Sequence, residues 1–302
     1  MNHPPGYQAL LETGELEKRS KDLHVLLGDC NLCPHQCSVD RLHGERGFCR
    51  TGENAVVSAF DSHFGEEPEL VGRHGSGTIF FSYCNLRCVF CQNYDISQCG
   101  AGEEVTPKKL SRIMLTLQKH GCHNINLVSP SHVVPQIVQA IYLSAQKGLS
   151  IPIVYNSGGY DLVDTLKTLE GIIDIYMPDI KFASEDYAKK YSGVRDYFRI
   201  TKKALKEMHR QVGDLKKDNC GIAYKGLIVR HLVMPGGLAG TEEIMEFIAR
   251  EISPDTYVNI MSQYRPEHYA RQYPELAKKI TTQDYQQAVA AAKRAGLKNI
   301  TG

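Results

Sequence analysis

Six short runs rich in apolar and β-branched residues, each followed by a stretch with the apolar spacing of a helix, constrain this chain more than any other feature. The runs fall at 78–83, 124–128, 151–155, 172–177, 227–233 and 257–261. Helical spacing occupies 107–120, 133–147, 160–169, 185–212 and 241–252, with a last segment at 282–295. Gly193 predicts a break in the fourth of these. A repeated strand-then-helix order is the mark of parallel strands, which need a crossover rather than a tight turn between them. Right-handed crossovers would curl six such units into a barrel that need not close, so the expected class is α/β with a partial (β/α)6 barrel. With 302 residues, 42% of them hydrophobic, the chain can bury one large core.

Directly after the first run, Cys84, Cys88 and Cys91 fall within eight residues. The loop that follows a strand is where parallel sheets and barrels bind ligands. Three thiolates can serve one small inorganic group, whereas a structural zinc ion or a fully ligated 4Fe-4S cluster uses four protein ligands. The incomplete set suggests a cluster whose open iron takes a substrate or cofactor. Half of a zinc site completed elsewhere, or free thiols in a reducing cell, are the alternatives.

A second set lies upstream, where Cys30, Cys33 and Cys37 are followed by Cys49 just after Gly47 and Phe48. Tight turns bring neighbouring thiolates together on a metal, so this quartet reads as a zinc staple or an auxiliary iron-sulfur cluster, with His35 a spare ligand. Residues 1–75 thus form an N-terminal extension with a metal-binding segment near 28–50, and 76–302 form the barrel. Cys99, Cys122 and Cys220 are isolated and expected to be buried structural thiols. His132 is expected to be a capping or surface residue. Residues 63–68 either cover the barrel mouth or make a polar turn, and the charges of 15–22 read as a solvated helix face. A net charge of +1 excludes the basic footprint of a nucleic-acid binder. No basic stretch with an apolar core opens the chain, and no window approaches ~20 apolar residues, so no membrane partner is expected and the location should be cytoplasmic.

The spacing of Cys84, Cys88 and Cys91, followed by aromatic residues and by Gln92, Asn93 and Tyr94, resembles the signature of radical S-adenosylmethionine (SAM) enzymes. That resemblance implies a partial (β/α)6 barrel and a 4Fe-4S cluster on the three cysteines. The open iron would chelate the amino and carboxylate groups of SAM. One electron from an external donor such as flavodoxin or ferredoxin would then release methionine and a 5'-deoxyadenosyl radical, which takes a hydrogen atom.

Within the superfamily, residues 60–265 look like the pyruvate formate-lyase activating enzymes and their uncharacterised relatives. Asp179 and Lys181 resemble the Asp-x-Lys motif of those activases, where the pair lies beside SAM. Arg230 to Gly236 is similar to a stretch ending in Pro-Gly on their fifth strand. Asn156 and Ser157 occupy the place of a turn that begins with aspartate in the activases. Ser129 and Pro130 stand where the family carries Gly-Gly-Glu, and their carbonyls would hold the methionine amino group. No catalytic side chain is assigned. The implied substrate is a glycine of a glycyl-radical enzyme, with another protein or a small metabolite as the runner-up and a non-catalytic metal-binding module as a third reading.

Overall fold

A computed structural model describes residues 3–302. Its strands are β1 (Ala55–His63), β2 (Ser76–Phe81), β3 (Glu103–Val105), β4 (Ile125–Val128), β5 (Ile153–Ser157), β6 (Ile175–Pro178), β7 (Lys216–Lys217), β8 (Ala223–Leu232), β9 (Tyr257–Met261) and β10 (Asn299–Thr301). They form one sheet in the order β10-β9-β8-β6-β5-β4-β2-β1-β3, with the short β7 paired to β8. From β2 to β10 along this path every pairing is parallel. β1 and β3 continue the sheet as antiparallel strands beyond β2. The path has two free ends, so the barrel is partial, as the strand-helix repeat predicts.

All six apolar runs become parallel strands. Their alternation sorts side chains onto two faces. Ile79, Leu127, Tyr155, Tyr176 and Leu227 lie in one row of register and belong to the main core beneath the helices. Val154, Ile175, Met177 and Ile228 form a smaller cluster on the inner face with Leu70 and Tyr257. The long helical stretch breaks as expected: helix Glu185–Ser192 ends on Gly193 with φ of 70°, and helix Tyr197–Val212 follows. At 160–169 the helix is only Val163–Thr168, because the chain first completes a glycine-containing turn.

β1, β3, β7 and β10 were not legible as strands. Three of them are two or three residues long, and the last part of β1 is the polar Asp61-Ser62-His63. Helix Glu15–Val25 buries Leu16 and Leu23 while Glu17 and Lys21 pair at 2.6 Å on its outer side, the solvated face anticipated from its charges. Among the described residues no helix is long and apolar enough to cross a membrane.

The N-terminal helices are tied to the barrel by a few buried polar bonds. Tyr7 donates its hydroxyl to the Ile151 carbonyl at 2.9 Å. Asp174, just before β6, accepts the Gly6 N–H and the Ile153 N–H, both at 2.9 Å. Burial pushes its carboxyl up to about 7 from an ordinary value of 3.8. Asp174→Ala leaves the buried Ile153 N–H and the half-buried Gly6 N–H without a partner, and urea unfolding should show a loss of about 2–5 kcal/mol. The wild-type carboxyl binds its proton more tightly folded than unfolded, so its contribution to stability declines as pH rises from about 4 to about 7. The variant should lack that slope; an unchanged slope would show that Asp174 is not its source.

Candidate active site

β2 ends at Phe81, and Tyr83 turns the chain through a left-handed conformation with φ of 67°. The cysteine loop that follows has no regular structure of its own and is held by its neighbours. Arg87 and Val89 donate their N–H groups to the Ser192 and Tyr191 carbonyls at 2.9 and 2.8 Å. Asn85 donates its side-chain amide to the Tyr160 carbonyl at 2.7 Å, and Gln98 reaches the Cys88 carbonyl at 3.0 Å. Cys84, Cys88 and Cys91 are free thiols. Leu86 N–H points at the Cys84 sulfur at 3.4 Å, while the Cys88 and Cys91 sulfurs lie 3.2 and 3.1 Å from the Ser192 and Ser97 hydroxyls. Burial pushes Cys84 up to about 11 and Cys88 up to about 12, so at neutral pH they keep protons that a bound metal would displace. Among the described residues no three His, Cys, Asp or Glu side chains gather around a single ion position. In a 4Fe-4S cluster each thiolate would meet its own iron, so three thiols would leave one iron open.

Beside this loop, at the end of β6, sits a buried charge network. The Asp179 carboxylate meets Lys181 Nζ at 2.5 Å and Arg230 Nε at 2.9 Å. Arg230 also donates to Asn156 Oδ1 at 2.6 Å and lies 3.3 Å from Glu66 Oε2. Burial alone would raise the Asp179 carboxyl, but Lys181 and Arg230 together hold it below the usual range. Burial likewise disfavours the Lys181 charge, but the Asp179 carboxylate beside it outweighs that cost, so Lys181 stays protonated. For Glu66 burial prevails over the nearby Arg230 and its carboxyl is raised. Tyr197 locks the rim: its hydroxyl accepts the Lys181 N–H at 3.0 Å and donates to the Gly158 carbonyl at 2.9 Å. Gly159 has φ of 75°, and a Cβ there would meet the Asp179 carbonyl at 2.3 Å, so only glycine fits this turn.

The anticipated residues therefore divide. Asn156, Asp179 and Lys181 meet in one network next to the thiols. Ser129 joins them at the rim with φ of 60°, its N–H bonded to the Asn156 carbonyl at 2.9 Å. The Pro130 carbonyl already accepts the Val133 N–H at 2.9 Å, where the next helix begins. Ser157 donates its hydroxyl to Asp161 at 2.7 Å within the turn. Residues 63–68 are no free turn: Glu66 and Glu67 are buried, and Glu67 accepts from Asn259 at 2.8 Å. They close a cavity of about 260 Å³ shared with Arg230, Met261 and Gln263. Tyr197 gave no signal in sequence, since a tyrosine at a helix start resembles any core residue.

Three other expectations are corrected. Cys99 and Cys220 are exposed, and only Cys122 is buried. His132 is neither a cap nor a surface group, being 2% exposed with Nε2 3.0 Å from the Ser82 carbonyl. The upstream Cys30, Cys33, Cys37 and Cys49 line one small cavity, and His132 forms part of its wall.

Comparison with known proteins places this geometry. A family model described as the radical SAM superfamily matches residues 78–222, the span from β2 to the start of β8. Two uncharacterised proteins of Methanocaldococcus jannaschii are similar over most of the chain. One is 34% identical, covering 89% of this chain and 75% of the relative; the other is 24% identical, covering 82% and 71%. Among solved structures, SAM-bound SuiB of Streptococcus suis is 14% identical with a TM-score of 0.48, covering 72% of this chain and 47% of that one. Methylornithine synthase (PylB) is 15% identical with a TM-score of 0.49, covering 74% and 69%. The matched span contains the thiol triad together with Asp179 and Lys181, and the chain belongs to the radical SAM superfamily.

Proposed function

We propose that this chain removes a hydrogen atom from a backbone glycine of a partner protein, in the manner of the glycyl-radical activating enzymes. The observation that carries the reading is the Asp179–Lys181 pair at the end of β6, set against the cysteine loop as an Asp-x-Lys motif. Superfamily membership implies a 4Fe-4S cluster and SAM. Once bound, they supply the one-electron cleavage that yields methionine and a 5'-deoxyadenosyl radical.

The residues of the chain bind, orient and exclude. Cys84, Cys88 and Cys91 are the ligands for the cluster. Lys181, protonated and beside Cys84 and Cys88, offers an ammonium to the carboxylate of the methionine moiety. Arg230, itself held by Asn156, fixes the Asp179 carboxylate, and Tyr197 fixes the backbone that carries Lys181. Phe90, Phe182, Tyr191 and Tyr264 pack behind the loop and keep water from the reacting carbon. A second reading, a small polar metabolite as substrate, is favoured by the 260 Å³ cavity under Glu66 and Glu67.

Cys84→Ala, Cys88→Ala and Cys91→Ala should each abolish 5'-deoxyadenosine formation from SAM under anaerobic reduction; full turnover by any of them sinks the radical reading. A glycyl-radical signal on a partner protein supports the first substrate, and SAM cleavage triggered by a small molecule supports the second. Asp179→Asn leaves two buried cations facing a neutral side chain, and should lower stability by about 3–5 kcal/mol and weaken SAM binding. Unchanged thermal unfolding of that variant would show that the network is not what fixes the rim.

A further inference from the structure

The cavity between the N-terminal segment and the barrel is lined by all four upstream thiols together with Arg41 and His132. Two of its groups lack the partner their chemistry demands. Arg41 is 1% exposed, and its hydrogen bonds go to the Gly52 carbonyl at 2.8 and 3.0 Å, the His132 carbonyl at 2.9 Å and the Cys30 sulfur at 3.7 Å. None of these partners is a carboxylate, yet a guanidinium is always charged, and a buried charge without a counter-charge is costly. His132, 2% exposed, directs Nε2 at a carbonyl that can only accept, so Nε2 carries the proton and Nδ1 holds a lone pair. That Nδ1 is buried without a partner. A cavity lined by four thiols beside an uncompensated buried cation is built for an anionic, metal-bearing occupant.

Four thiolates around a metal centre supply such an anion, and the local backbone is shaped for it. Gln36, Ser38 and Arg50 adopt left-handed conformations with φ of 42°, 49° and 59°, strain concentrated around the cysteines. Phe48 N–H points at the Cys37 sulfur at 3.4 Å, and a Cβ on Gly47 would lie 2.7 Å from that sulfur. The four thiols line one cavity, and four thiolates are the ligand set of a fully ligated 4Fe-4S cluster.

The segment carrying this cavity also grips the cysteine loop of the active site. Arg87 donates to the Phe48 carbonyl at 2.6 Å and lies over the Phe48 ring at 4.9 Å. His35 stacks on the same ring at 3.7 Å and bonds to the Asn85 carbonyl at 2.8 Å. Phe48 adjoins Cys49, and Arg87 adjoins Cys88, so the two cysteine sets meet through neighbouring residues.

We propose that Cys30, Cys33, Cys37 and Cys49 hold a second 4Fe-4S cluster, seated against Arg41 and His132, through which electrons enter the active site across the Phe48–Arg87 junction. An external one-electron donor is oxidised as this cluster passes from the 2+ to the 1+ state. Its reoxidation delivers the same electron to the catalytic cluster, with no proton exchanged. The entry role rests on the radical SAM reading, whereas the site itself stands on its own residues.

The test is metal and sulfide analysis with electron paramagnetic resonance on anaerobically prepared full-length protein. Wild type should carry about eight irons per chain, four in each cluster. The triple variant Cys84→Ala, Cys88→Ala, Cys91→Ala should keep about four, with a signal on dithionite reduction that SAM does not alter. The quadruple variant Cys30→Ala, Cys33→Ala, Cys37→Ala, Cys49→Ala should keep the other four and a SAM-sensitive signal. Should that variant fail to fold, wild type and the triple variant still decide the matter. Zinc in wild type with about four irons, or a triple variant without iron, overturns the proposal. A quartet cluster in a protein whose triad binds none would instead overturn the radical reading alone. Fully reduced wild type should show a spectrum broadened by coupling between the clusters; a simple sum of the two variant spectra would remove the electron-entry role.

Discussion

The Asp179 carboxylate is the point on which the barrel rim depends. An ionised carboxyl out of water is expensive, and here two cations, Lys181 and Arg230, repay the cost only because both are held in place. Arg230 spans from β8 to Asn156 on β5 and to Glu66 on the segment between β1 and β2. One buried ion cluster thereby fixes three strand ends and the entering chain. Lys181, held by Asp179 and by the Tyr197 hydroxyl, is left protonated close to the cysteine loop. A network of this kind contributes little net stability, since well-packed apolar residues could replace it. What it provides is a positive charge in a fixed position, which a hydrophobic substitute cannot supply.

The sheet was readable in sequence because the six longer parallel strands are largely buried on both faces and so appear as apolar runs. The same physics hid β1, β3, β7 and β10, which are short or carry polar residues and owe their pairing to a neighbour already in place. The cysteine spacings were legible because the ligands of a cluster loop lie close together in the chain. Contacts made by folding were not. His132 lies 95 residues beyond Cys37 in sequence, yet it lines the cavity of the upstream quartet, and nothing in its local context marks it as more than a helix-start residue. Ser157, expected to contact the cofactor from its turn, gives its hydroxyl to Asp161 four residues on, a pairing that its local sequence does not single out.

The open barrel also explains why the chain buries two glutamates. Between β1 and β2 the backbone passes along the inner side of β9, where Glu69 accepts from Tyr257, Glu67 from Asn259, and Glu66 meets Arg230 on β8. Leu70 of the same segment is fully buried in the inner cluster. This segment does for the gap what a further pair of strands would do in a closed barrel, with side chains in place of backbone bonds. The Glu67 Oε2 atom is nonetheless buried without a partner, so the segment covers the interior and leaves one acceptor beside a cavity. An N–H or O–H donor placed there would satisfy that oxygen, whereas an apolar group would leave it bare. The interior thus offers an acceptor at Glu67 and, just after β6, a protonated ammonium at Lys181.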